Sequence, residues 1–112
     1  MGYQKASAAD IDSVIDEEWG GMWFLKDALA TGQVGLTILE LEPGGKGKEH
    51  DHSHDGQEEV YCCVEGAVDV QFGDEQVTLR ANEAVRIDPE TTRQIQNNGD
   101  ERAKLVLVGA PL

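Results

Sequence analysis

Apolar and polar positions alternate through most of the chain, and turn chemistry interrupts them at short intervals. The clearest run is 34–42, Val-Gly-Leu-Thr-Ile-Leu-Glu-Leu-Glu, stopped by Pro43-Gly44-Gly45. A period of two sends successive side chains to opposite faces, so such a run reads as a half-buried β-strand. Residues 58–65 and 67–72 alternate on either side of Gly66 and read as a hairpin. Further runs follow at 76–80, 84–87, 92–96 and 104–108, separated by turn residues such as Asn82-Glu83, Asp88-Pro89 and Asn97-Asn98-Gly99. An aromatic-rich stretch at 20–26, opened by Gly20-Gly21, reads as the first strand. Only 7–18 carries a helical spacing (Ile11, Val14 and Ile15, with Ser7 placed as a cap), and its acidity suits a solvated arm or an edge strand equally well.

About eight or nine short strands with little helix predict an all-β, antiparallel sandwich or barrel. A chain of 112 residues makes one domain, with an N-terminal arm over about 1–20 and the barrel over about 21–110. Trp19, Trp23 and Phe24 are expected to pack in the core or at an interface in preference to stacking on a substrate. Cys62 and Cys63 are adjacent, so in a strand they point apart and are poorly placed to bridge; they read as small apolar fillers in a reducing compartment in preference to a reactive thiol.

Charge narrows the partners. With 22 acidic against 9 basic residues, the net charge is −13, which argues strongly against nucleic acid as a partner and disfavours anionic membranes. No run approaches the length of a membrane span, and residues 1–10 hold no apolar signal core, so the expected location is cytoplasmic. Such acidity points to a high-salt cytoplasm, a halophilic protein whose stability rises with potassium chloride.

All three histidines, His50, His52 and His54, fall within five residues, and Glu58 and Glu59 follow. Imidazole and carboxylate are the usual ligands of zinc and of redox-capable first-row metals. Two histidines and one carboxylate suffice for a divalent site with open positions. The cluster does not match the HExxH pattern, and no nucleophile elbow surrounds Ser53.

At this point the chain resembles a cupin, a small jelly-roll β-barrel. The family's first motif, glycine, five residues, His-x-His, then Glu, six residues and Gly, is matched by Gly44, His50, His52, Glu59 and Gly66. The gap from His52 to Glu59 is six residues, two more than the motif has; taking His52 and His54 corrects the gap but puts Lys46 where the glycine belongs. The stretch Gln57-Glu-Glu-Val-Tyr-Cys-Cys-Val-Glu-Gly66 is similar to small single-domain cupins. The second motif lies along 82–97: Asn97 keeps its place, Asn82, Asp88 and Glu90 depart, and Arg93 stands where the third metal histidine belongs.

The resemblance spans about 34–109 and implies a homodimer, a divalent metal (iron, manganese, nickel or zinc) and a small-molecule substrate. It allows dioxygenase, isomerase, decarboxylase or lyase chemistry. Arginine stays protonated and cannot ligate a metal. One reading therefore puts the metal on two of His50, His52 and His54 together with Glu59, the third histidine being available to replace the lost ligand, with Arg93 holding an anionic substrate and Tyr61 as a pocket wall or acid. A second pairs Arg93 with Glu59 in a metal-free module that binds or senses a small molecule. A third leaves the histidines solvated on an acidic loop.

Overall fold

The computed structural model describes residues 2–112. Eight strands form, all paired antiparallel: β1 (Gly20–Phe24), β2 (Gly35–Leu41), β3 (Glu58–Glu65), β4 (Ala67–Phe72), β5 (Glu75–Arg80), β6 (Ala84–Ile87), β7 (Gln94–Gln96) and β8 (Ala103–Ala110). They make a five-stranded sheet in the order β1-β2-β8-β3-β6 and a three-stranded sheet in the order β5-β4-β7. This is the expected all-β jelly roll. The acidic stretch before β1 holds only two short 3-10 turns, the first capped by the Ser7 hydroxyl, which accepts from the Ala9 N–H. One four-residue helix, α1 (Lys26–Leu29), follows β1, so Lys26 leaves the strand expected for it.

The period-two pattern sorts the strands as the sequence requires. Along β8, Ala103, Leu105 and Leu107 are buried and the residues between them are not. Leu39 and Leu41 of β2 and Val68 and Val70 of β4 meet them from both sheets. The chain passes from one sheet to the other between β3 and β4, at Gly66. Its φ is +73°, and a Cβ there would lie 2.7 Å from the Arg102 carbonyl oxygen, so only glycine fits. Cys62 and Cys63 are free and face opposite ways, Cys63 into the core.

The long loop between β2 and β3 behaves in part as another strand. The Gly44 and Gly47 N–H groups donate to the carbonyls of Asn97 and Ile95, and His50 and Arg93 exchange a reciprocal backbone pair at 3.0 and 2.9 Å. The smaller sheet is thereby extended past β7, and His50 is set directly opposite Arg93.

None of the three aromatic residues enters the core, one of the two places expected for them. Trp19 and Phe24 are 44% and 47% exposed, and Trp23 is half-buried over Gly21. The reason is position: they belong to β1 or its entry, and β1 is an edge strand of the larger sheet. No helix among the described residues is long and apolar enough to cross a membrane.

Candidate metal centre

Strand register builds the site in rows across the inner face of the larger sheet. One row is Phe24, Thr37, Leu107 and Tyr61; the next toward the open end is Gly35, Gly109, Glu59 and Ile87. Two glycines beside Glu59 leave a hollow where larger side chains would fill the barrel. A Cβ at Gly109 would lie 3.0 Å from the Gln57 side-chain oxygen and 3.6 Å from Glu59 Oε2. The resulting pocket has a volume of ≈ 510 Å³, within the range of small-molecule sites.

Glu59 Oε1 is the hub. His50 Nε2 lies 3.6 Å from it, His52 Nε2 3.2 Å and Arg93 Nη2 3.4 Å. The Tyr61 hydroxyl donates to it at 3.1 Å. The outer nitrogens of both imidazoles are already engaged. His50 Nδ1 faces the Lys48 carbonyl at 2.9 Å, and His52 Nδ1 faces both Asp55 carboxylate oxygens at 3.1 Å. Carbonyl and carboxylate only accept, so both Nδ1 atoms carry the proton. In the neutral rings each Nε2 therefore presents a lone pair to Glu59. Three acceptors converge within 4.8 Å of one another, a repulsive arrangement unless a proton or a cation stands between them.

The titration behaviour follows from that crowding. Its hydrogen bond to Glu59 raises the pKa of His50 above the ordinary value, against the opposing effect of burial. Burial pushes the Glu59 carboxyl up, but the His50 hydrogen bond, the His52 charge, the Tyr61 donor and Arg93 outweigh it and hold the pKa below its usual value. Burial, then the Glu59 charge, drives the Tyr61 hydroxyl far up, so it remains a donor.

The expected site residues do not all meet. His50, His52 and Glu59 form one group; His54, with a side chain 72% exposed, does not join it but lines the pocket and makes a second, more exposed group with His52 and Asp55, 3.4 Å from the Asp55 carboxylate. Tyr61 lies beside Glu59 and lines the pocket. Arg93 does not line the pocket. It is 1% exposed and packed behind Glu59, so a substrate in the cavity cannot reach it. Its Nη1 donates to the Thr91 carbonyl at 2.9 Å, while Nε and Nη2 have no hydrogen-bond partner. The Nη2 contact with Glu59 is thus a charge attraction without hydrogen-bond alignment.

Asp55 as the partner of His52, the Gly35 and Gly109 hollow, and the lining residues Lys26 and Lys48 were not singled out from sequence. Asp55 alone left a signal, three residues beyond His52 in a tight turn closed by the Gly56 N–H on the His52 carbonyl.

The sequence profile of the cupin domain matches residues 37–109. A relative described as polyketide synthase CurC, from Streptomyces cyaneus, is 34% identical over 82 residues, covering 73% of this chain and 51% of that protein. The chain thus spans about half the length of that relative. Among solved structures, a cupin protein from Bacteroides fragilis is 26% identical with a TM-score of 0.80, covering 99% of this chain and 86% of the other. A predicted oxalate decarboxylase from Thermotoga maritima has the same fold at 20% identity and a TM-score of 0.77, covering 97% and 100%. The chain belongs to the cupin domain family.

Proposed function

We propose that this protein is an enzyme that binds one divalent first-row metal through His50 Nε2, His52 Nε2 and the Glu59 carboxylate and acts on a small anionic substrate in the adjoining pocket. One observation carries the reading: three acceptor atoms converge while both Nδ1 atoms are held by acceptors. Such outer partners orient ligating histidines in metal sites. The metal would supply open positions at which a substrate oxygen is bound and polarised. The chain's own groups hold that geometry. The Lys48 carbonyl and Asp55 fix the two rings, and Tyr61 donates to Glu59 without giving up its proton. Arg93 offsets the carboxylate charge from the buried side, which keeps Glu59 ionised and also weakens its attraction for a cation.

A second reading, a metal-free binding module built on the Arg93 and Glu59 charges, draws on the 3.4 Å Nη2–Oε1 contact. Equilibrium dialysis of untagged protein against iron(II), manganese, nickel and zinc separates the two. The metal reading expects about one equivalent bound. Less than about a tenth of an equivalent of every metal would leave the metal-free module standing.

A further inference from the structure

Resting on the metal reading above, we infer that the substrate is an amphipathic organic acid: an apolar, aromatic-sized body with an oxygen donor for the metal and a carboxylate at the pocket mouth. The walls decide the body. Met22, Phe24 and Leu107 line the cavity, and Phe24 is 47% exposed there although it is a large aromatic. An exposed aromatic ring costs hydration that a stacked ligand recovers. Polar groups line other parts of the cavity, but the side formed by Met22, Phe24 and Leu107 offers no partner to a buried hydroxyl, and an unpaired one is strongly penalised, so that side suits an apolar body better than a sugar.

The charges decide the end group. Lys26, at the start of α1, and Lys48, in the loop before His50, both line the pocket. In a chain of 22 acidic and 9 basic residues, neither lies within 4.0 Å of a carboxylate among the described residues. The other lining acid, Asp51, has Oδ1 occupied by the Ser53 N–H and hydroxyl. The other lysines are likewise unpaired, but these two of the chain's five flank one cavity, and that placement matches an anion that enters with its charge toward solvent.

Calorimetric titration tests this with three probes: 6-hydroxy-2-naphthoate, 2-naphthol and glucose 6-phosphate, each against zinc-loaded and metal-free protein. The naphthoate is expected to bind at least about tenfold tighter than either of the others. Lys26→Met with Lys48→Met should remove about that tenfold for the naphthoate and leave naphthol binding unchanged. Phe24→Ala should weaken both naphthyl probes. Glucose 6-phosphate binding as tightly as the naphthoate, no loss in the double lysine variant, or no binding of any probe overturns the inference. Failure of the metal reading looks different: zinc does not bind, yet the lysine-dependent preference for the naphthoate persists in metal-free protein.

Discussion

Two buried polar side chains, Asn97 and Arg93, share one face at the two ends of β7, and they are treated in opposite ways. Asn97 is fully buried and fully satisfied. Its amide donates to the carbonyls of Leu41 and Glu101 at 2.9 Å, and its oxygen accepts from the Gly99 N–H at 3.1 Å. Arg93 is 1% exposed, yet two of its three nitrogens lack a hydrogen-bond partner and its charge faces a carboxylate off-axis. A satisfied polar group locks a fold; an unsatisfied one stores a demand that a functional site can use. The larger sheet repeats the contrast. At the closed end it carries Leu39, Leu41, Ala103 and Leu105, whereas four residues along β2 and β8 it presents Gly35 and Gly109 beside Glu59.

The largest expected effect breaks the closed end. Asn97→Ala orphans two carbonyls and one N–H and should cost about 3 kcal/mol in denaturant unfolding. Arg93→Met should cost less than about 1 kcal/mol in zinc-loaded protein, where the metal compensates the Glu59 charge and only poorly satisfied donors are lost. Equal losses for the two would erase the distinction between the ends.

Next comes the outer shell of the open end. Asp55→Ala frees the His52 ring and should weaken zinc affinity about 10- to 100-fold, measured by competition with a chelator, with the unfolding midpoint little changed. An unaltered affinity would mean that His52 is not a ligand. Arg93→Met has a smaller effect of opposite sign: removing a fixed cation beside Glu59 should tighten zinc by about tenfold. A weaker site would show that Arg93 acts mainly to hold Glu59 in place.

The smallest effect is a pH dependence with two signs. The pKa of His50 is raised above 6.5, so its pairing with Glu59 stabilises metal-free protein below that pH and is lost as pH rises through the folded value. Metal affinity runs the other way, since the metal needs the unprotonated ring. From pH 6 to pH 8, metal-free protein should become slightly less stable while zinc binds more tightly. The lowered pKa of Glu59 adds a loss of stability on the acid side, as pH falls through its folded value.

The strands were legible because burial of one face imprints a period of two, and Gly66 marked the β3–β4 turn. The loop at 42–57 was not, because it pairs with β7 without alternating, its side chains being chosen for the site instead of a buried face. The reciprocal backbone pair of His50 and Arg93 links the two distant motifs and was invisible in either one. Arg93 was placed near the metal site from its motif position, but its depth behind Glu59 depends on the register of both sheets. The pocket lysines left no signal at all: Lys26 and Lys48 meet only through the fold. The edge position of β1, which exposes Phe24 and Trp19, likewise follows from strand order.

The central claim is that the open end of the barrel is a metal centre of two imidazoles and one carboxylate. The direct measurement is an anomalous difference map from crystals grown with one equivalent of zinc. A single peak about 2.0–2.2 Å from His50 Nε2, His52 Nε2 and a Glu59 oxygen is the predicted result. A peak held only by His54 and Asp55, or none with Arg93 closed onto Glu59, would contradict it.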